Sequence, residues 1–247
     1  MADPAVDAVK KVAAIQTVAA DASPAATPHA AAPPAVPSDK VVLSPEAAPS
    51  VDKPACGCSK LKPEQQLHAL AEKYHVTWPD GVSAQKEQPI IVRAIVRAEA
   101  DRQGVPENVA LGVSGLESGW KMWWGVKTGH VVKLFNESDQ STDWGVMQIN
   151  NRAHPDAFPC ANKDLEFNIR YGVAYLAEVH DEFGDGDLHK GFGAWDRTMA
   201  VYNQGTLPTG EKRKKIAAQY LDTARAYVKK AMKYADMKPR PPAPPRT

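Results

Sequence analysis

Glu117 is the residue of this chain whose type and position best fit acid–base chemistry. It follows Val113 by four residues and precedes Trp120 by three, so it lies on the apolar face of a predicted helix. Gly119 is the predicted cap of that helix, which places Glu117 at the negative end of the helix dipole. Burial and the dipole both favour the neutral acid. Glu117 is therefore predicted to act as a general acid and base.

Two polar motifs follow Glu117-Ser118 along the chain. One is the stretch Ser-Thr-Asp-Trp-Gly-Val-Met-Gln-Ile-Asn at 141–150, and the other is Tyr202-Asn203. A Glu-Ser, a Gly-x-Met-Gln and a Tyr-Asn in this order resemble the SLT domain of lytic transglycosylases, which is similar to goose-type lysozyme. The resemblance covers roughly residues 90–235. It implies a mainly α fold of the lysozyme-like α+β kind, with a small β-hairpin element.

The resemblance also implies an enzyme that degrades the glycan strands of peptidoglycan. Lytic transglycosylases cleave the MurNAc-β-1,4-GlcNAc bond with a single glutamate. Carried over to this chain, Glu117 protonates the leaving oxygen and then takes a proton from the 6-hydroxyl of the muramic acid, which closes a 1,6-anhydro ring. The substrate-binding residues that the resemblance implies are Ser118, Gly145, Met147, Gln148, Tyr202, Asn203 and Tyr227.

The Gly-x-Met-Gln motif resembles the floor of the family's cleft. Gly145 would let the backbone approach a sugar closely, since glycine has no side chain. Met147 is expected to pack under the sugar ring. Gln148 is expected to form a hydrogen bond with an N-acetyl or hydroxyl group.

The Tyr-Asn motif and the last helix would complete the cleft. The resemblance implies that Tyr202 forms a hydrogen bond near Glu117 and that Asn203 contacts the substrate. Tyr227 lies in a segment that resembles the closing helix of the domain, where a tyrosine often lines the cleft. Packing of Tyr227 in the core remains an equal alternative.

A second catalytic carboxylate is left open by the sequence. The stretch 141–152 also resembles C-type lysozymes, and Asp143 matches the position of their second carboxylate. If Asp143 faces the cleft, the chain can act as a hydrolytic muramidase; if it only bonds to the β-turn, the chain is a transglycosylase. Glu137 and Asp139 are weaker candidates for the same role. A further alternative is a catalytically silent wall-binding or virion structural module.

The elements that must position these residues follow from periodicity. Helices are predicted over residues 61–74, 88–103, 106–118, 164–183, 195–203 and 212–235. The buried stripe of the second helix is predicted to contain Ile90, Ile91, Ala94, Ile95 and Ala98. Residues 121–136 are predicted to form a Trp- and Gly-rich loop, and residues 138–151 a strand or hairpin.

Composition divides the chain into a folded part and tails. All aromatic residues lie between Tyr74 and Tyr234, whereas residues 1–59 contain nine prolines and no aromatic residue. Such a segment buries too little apolar surface to fold. We therefore predict a disordered Ala/Pro-rich arm at 1–59, a helical lead-in at 60–89, the catalytic domain at 90–237 and a Pro-rich tail at 238–247.

Charge and hydropathy restrict the partners and the location. The net charge of +1 argues against nucleic acid. No run of eighteen apolar residues predicts a membrane-spanning helix. No secretory signal is recognised, so the expectation is synthesis in a host cytoplasm and action on the cell wall or periplasm as part of a phage virion or during lysis. The arm would then contact other virion or secretion-apparatus proteins.

The cysteines and histidines predict no cofactor. Cys56, Cys58 and Cys160 are expected to be reduced, with a bridge from one of the first two to Cys160 as the alternative. The spacing of the histidines does not indicate a metal site, and none is assigned; they include His130, His154, His180 and His189. Exposed tryptophans suit sugar stacking, so one of Trp123 and Trp124 is a candidate for it and the other for the core.

Overall fold

The chain forms helices with apolar stripes and a small β element. The computed structural model describes residues 58–183, 193–204 and 211–236. The helices in these residues are α1 (Pro63–Lys73), α2 (Ala84–Gln103), α3 (Glu107–Ser118), α4 (Leu165–Phe183), α5 (Ala194–Gln204) and α6 (Glu211–Ala235). The strands are β1 (Trp123–Gly125), β2 (His130–Val131), β3 (Lys133–Asn136), β4 (Ser141–Trp144) and β5 (Ile149–Asn150). The predicted mainly helical fold with a small β element is confirmed.

Most of the predicted arm and the whole predicted tail cannot be compared with the described residues. The predicted tail lies outside the described residues, as does the predicted arm apart from Cys58 and Ser59. Among the helices that the structure describes, none is both long and apolar enough to cross a membrane.

Helix α2 begins earlier than predicted, at Ala84, so the predicted start at Gln88-Pro89 is wrong. Pro89 lies inside the helix and removes one backbone hydrogen bond. Hydrogen bonds from the side chain of the preceding residue, Gln88, to a distant segment offset this loss. The Gln88 side chain is fully buried, accepts hydrogen bonds from the backbone N–H groups of Met122 and Trp123, and donates to the Trp123 carbonyl.

The predicted buried stripe of α2 is also partly wrong. Ile91 and Ile95 are fully buried, but Ala98 is exposed. Val92 and Val96 are fully buried in its place. The buried face is therefore rotated by about one residue from the predicted one, because tertiary packing rather than alanine content selects it.

The prediction of a loop at 121–136 is wrong, since this segment contains three strands. β1 and β2 form an antiparallel pair in which Trp123 lies opposite Val131. The pair is only two to three residues long and contains a register shift, so it leaves no clear alternation in the sequence.

β3, β4 and β5 form an antiparallel sheet in that order, and the predicted hairpin region contains β4 and β5. The register places Asn136 opposite Ser141 and Asp143 opposite Asn150. Ser141 and Asp143 are buried, while Thr142 between them is only half-buried. Side chains directly opposite each other lie on the same face of a sheet, so four polar residues meet on one face.

Helix α3 forms the centre of the core, because all its residues from 109 to 116 are buried. Two glycines let α6 approach it closely. A Cβ atom at Gly112 would lie 2.6 Å from the carbonyl oxygen of Ala231, and one at Gly115 would lie 2.8 Å from the Tyr234 side chain. This crossing brings α6 to the end of α3 at which Glu117 lies.

A disulfide bond joins Cys58 to the buried Cys160, so the predicted reduced state is wrong for these two residues and the bridge to Cys160 is confirmed. Cys56 lies outside the described residues. The backbone N–H of Ser59 also donates to Asp164 at 2.7 Å. The last residues of the predicted arm are therefore attached to the folded part.

Candidate active site

The end of α3, the β3–β5 sheet and α5 enclose a polar cavity of about 280 Å³. Nine residues line this polar cavity: Glu117, Asn136, Ser138, Asp139, Asp143, Gln148, Asn150, Tyr202 and Asn203. Carboxylates, amides and hydroxyls dominate the set. It can therefore form many hydrogen bonds with a ligand that is rich in hydroxyl and amide groups.

Glu117 reaches the polar cavity from the last turn of α3. Gly119 ends the helix with φ at 63°, in the left-handed region, as predicted for its cap. The Glu117 side chain is half-buried, and its Oε1 accepts a hydrogen bond of 2.6 Å from the Tyr227 hydroxyl. Helix α3 thus presents a carboxyl group that is both accessible from the polar cavity and held by a protein donor.

Tyr227 comes from α6 and is only 5% exposed. Burial raises the pKa of its hydroxyl well above the ordinary value, and the charge of Glu117 and the hydrogen bond to it raise this pKa further. The hydroxyl therefore stays protonated near neutral pH and acts as a donor to Glu117. The ring of Tyr227 packs in the core, which was one of its two alternatives. Tyr227 does not itself line the polar cavity, but its hydroxyl contacts the Glu117 carboxyl, which does.

Tyr202 lies near Glu117, as the resemblance implies. It lines the polar cavity together with Glu117, but its hydroxyl donates to the carbonyl oxygen of Met147 at 2.7 Å. Burial raises the pKa of this hydroxyl, and the charge of Glu117 adds to the rise. Tyr202 therefore joins α5 to the turn between β4 and β5.

The turn at 145–148 depends on close packing against Asn168 of α4. Gly145 has φ at 75°, and a Cβ atom there would overlap the Asn168 side chain. Asn168 accepts from the Met147 N–H and donates to the Trp144 carbonyl, both at 2.9 Å. Gln148 also has a positive φ, of 48°, and its amide donates to the Gly145 carbonyl at 2.8 Å. These contacts fix the turn and aim Gln148 into the polar cavity.

Three of the predicted substrate-binding side chains, those of Ser118, Met147 and Tyr227, do not line the polar cavity. The Met147 side chain is fully buried against Gly172 of α4. Ser118 is 1% exposed, donates to the Ser114 carbonyl at 3.1 Å and accepts from the Lys121 N–H at 3.2 Å. Their contacts stabilise the turn and the end of α3. Of the other predicted residues, Gln148, Tyr202 and Asn203 line the polar cavity.

Asp143 lines the polar cavity although it is only 7% exposed. Its Oδ2 accepts a hydrogen bond of 3.0 Å from Asn136, and its Oδ1 one of 2.7 Å from Asn150. The sequence left open whether Asp143 faces the cleft or bonds within the β element. In the structure it does both. Asp139 also lines the polar cavity, whereas Glu137 is exposed.

Asn136, Ser138 and Asn150 line the polar cavity and were missed by the sequence reasoning. Asn150 belongs to the 141–150 motif, so the motif itself was a signal. No motif marks Asn136, which ends β3, or Ser138, which lies in the turn between β3 and β4. The pairing of these two strands brings both residues to the polar cavity.

The two tryptophan candidates differ in burial, and two of the histidines contact other side chains. Trp123 is 1% exposed and belongs to the core, while Trp124 is 37% exposed. His154 contacts the Tyr171 hydroxyl, and His180 stacks on Trp195. His189 lies outside the described residues. Within the ranges that the structure describes, no group of three or more metal-ligating side chains occurs.

Comparison with protein families gives one match. The family model described as "Transglycosylase SLT domain" matches residues 94–224, slightly more than half of the chain. The matched span contains Glu117, the β3–β5 sheet and Tyr202, and it ends just before Tyr227. Searches of curated proteins and of solved structures give no significant match.

Proposed function

The chain belongs to the transglycosylase SLT domain family, and on this premise we propose that it cleaves the MurNAc-β-1,4-GlcNAc bond of peptidoglycan with formation of 1,6-anhydro-MurNAc. Members of this family are lytic transglycosylases that degrade peptidoglycan. The proposal rests on the position of Glu117, which lies in the last turn of α3 at the polar cavity and is bonded to Tyr227.

In the proposed reaction Glu117 acts first as an acid and then as a base. Its carboxyl proton moves to the glycosidic oxygen as the bond between that oxygen and C1 of the muramic acid breaks. The 6-hydroxyl oxygen then bonds to C1, and its proton returns to the Glu117 carboxylate. The step consumes no water, ends in an anhydro ring and restores the acid.

Asp143 supports a second candidate, hydrolysis by water on the same fold. This residue lines the same polar cavity as Glu117, so two carboxyl groups border one site. A second carboxylate is what hydrolytic glycosidases use to activate water or to form a glycosyl intermediate. A silent wall-binding module is the third candidate; the set of Glu117, Asp143 and Gln148 in one cavity argues against it.

The deciding experiment is mass spectrometry of muropeptides released from purified sacculi by the wild type and by Glu117→Gln. We expect 1,6-anhydro ends that disappear in the variant. Glu107→Gln is the matched control, because Glu107 begins the same helix but is exposed and paired with Arg97. Reducing ends would favour hydrolysis, and no release by any protein would leave the silent module.

The setting that we propose is local wall opening by a phage, at entry or at lysis, with the arm as a tether to other virion or secretion-apparatus proteins. The Ala/Pro-rich composition of residues 1–59 supports a tether. A chain of residues 57–247, which keeps Cys58, should then retain full activity on purified sacculi. Loss of that activity would contradict a passive arm.

A further inference from the structure

We infer that Asn136 and Asn150 are positioning residues that hold the Asp143 carboxylate fixed at the wall of the polar cavity, where it stabilises the positive charge of the breaking sugar. The inference rests on the proposed cleavage of a glycosidic bond. Asp143 would then be a second charged group beside Glu117, with its orientation set by two amides.

The two amides engage different oxygens of one carboxylate. Asn136 Nδ2 donates to Oδ2 at 3.0 Å, and Asn150 Nδ2 donates to Oδ1 at 2.7 Å. Since an amide NH₂ group can only donate, both oxygens of Asp143 serve as acceptors, which is the role of a carboxylate anion. Two donors on separate oxygens also restrict rotation of the carboxylate about its χ2 angle.

The orientation of the Asn150 amide is fixed by the hydrogen bonds of its oxygen atom. Its Oδ1 accepts hydrogen bonds from the backbone N–H groups of Arg152 at 2.9 Å and Ala153 at 3.0 Å. Because these donors require the amide oxygen, the Asn150 Nδ2 must face Asp143. The backbone after β5 therefore determines that the Asn150 NH₂ group, and not its oxygen, faces Asp143.

A buried hydroxyl connects the two amides. Ser141 is fully buried, and its Oγ accepts from Asn150 at 2.7 Å and from Asn136 at 3.3 Å. The same hydroxyl donates to Asp139 at 2.6 Å. The network spans β3, β4 and β5, so the sheet itself holds the carboxylate in place.

A fixed anion at this site matches the charge that develops in the reaction. As the glycosidic bond breaks, positive charge grows on C1 and the ring oxygen of the sugar. A charge that is already oriented needs no reorganisation when the transition state forms. Asp143 is nearly buried, so water screens its charge less than at an open surface.

The test is a double-mutant cycle on muropeptide release from purified sacculi. Asn136→Ala and Asn150→Ala are each made in the wild type and in Asp143→Ala, and rates are measured at saturating and at low substrate. Loss of one hydrogen bond to a charged group predicts a kcat about tenfold lower with KM within about twofold. In Asp143→Ala the same substitutions should cost less than about twofold, because the group they position is gone.

Asn151→Ala is the matched control. Its amide oxygen accepts from the Thr142 N–H at 2.8 Å in the same sheet, but the residue does not line the polar cavity. We expect its rate to equal that of the wild type. If an alanine variant fails to fold, Asn136→Leu keeps a branched side chain of similar size, removes the donor and should lose about as much activity.

Equal losses in both backgrounds would overturn the inference, because the amides would then serve only the scaffold. No loss in the wild-type background would overturn it as well. Failure of the proposed function is distinct, since it would appear as reducing ends in place of 1,6-anhydro ends, or as no release of muropeptides by the wild type.

Discussion

At the residue scale, Tyr202 and Tyr227 show how one residue type takes two roles at the same site. Both hydroxyls have a raised pKa because both are buried and because Glu117 adds negative charge nearby. Their acceptors differ, since Tyr202 donates to the Met147 carbonyl and Tyr227 to the Glu117 carboxyl. Tyr202 therefore holds the backbone of the turn, and Tyr227 acts on the proposed acid.

Tyr227→Phe should lower kcat about tenfold, because it removes one hydrogen bond to the carboxylate that forms on Glu117 as its proton leaves, without removing the ring. A raised pKa keeps the Tyr227 hydroxyl protonated, so it can donate to Glu117 across the range from about pH 5 to about pH 8. The measurement is the initial rate of muropeptide release across that range.

Tyr234→Phe is the control for this change, since Tyr234 lies on the same helix and packs edge-on against Trp120. It should leave the rate within about twofold, because its ring contact is kept. Similar losses in the two variants would mean that the Tyr227 hydroxyl has no special part in the reaction.

At the element scale, the crossing of α3 and α6 decides whether Glu117 and Tyr227 meet. These residues are 110 positions apart in sequence. Gly112 brings the helices together, because any Cβ atom there would lie 2.6 Å from the backbone oxygen of Ala231. A backbone atom cannot move aside without moving its helix, so this glycine sets the distance between the two elements.

Gly112→Ala should destabilise the protein by about 1–3 kcal/mol, since the cost of overpacking exceeds the roughly 1 kcal/mol that alanine gains in a helix interior. Activity at a temperature well below the midpoint of unfolding should also fall, because displaced α6 carries Tyr227 away from Glu117. Thermal unfolding and muropeptide release check the two effects.

Gly193→Ala provides the comparison, because Gly193 is exposed and the nearest atom to its added Cβ would lie 3.7 Å away. It should change the free energy of unfolding by less than about 0.5 kcal/mol. A stable, fully active Gly112→Ala protein would show that the α3–α6 crossing tolerates separation.

At the scale of the whole molecule, the Cys58–Cys160 disulfide closes the largest covalent loop in the described residues. The two cysteines are 102 positions apart, and the loop includes α1, α2, α3 and the β element. Cross-linking residues so distant restricts the unfolded chain strongly. Disulfides persist in oxidising compartments, which agrees with a cell-wall substrate outside the cytoplasm.

Reduction should lower the free energy of unfolding by about 3–5 kcal/mol, the amount expected for a loop of this length. Thermal unfolding with and without dithiothreitol measures the loss. Cys160→Ala should unfold at the same temperature in both conditions, near that of the reduced wild type. An unchanged midpoint for the wild type in dithiothreitol would contradict a stabilising role.

Local sequence patterns predicted the features that depend on nearby residues. Periodicity and glycine caps predicted the helices, the end of α3 at Gly119 and the position of Glu117 on that helix, because these depend on residues within one or two turns. The ordered motifs also indicated the family, which the match to residues 94–224 shows.

The groups that meet around Glu117 and Asp143 are set by the packing of distant segments. The bond from Tyr227, the two amides on Asp143 and the partner of Cys160 join residues that lie 7 to 110 positions apart. The strands between 121 and 136 were missed for the same reason, since pairing rather than local propensity stabilises them. Local sequence patterns carry no information on which distant segments pack together, so these contacts follow only from the fold.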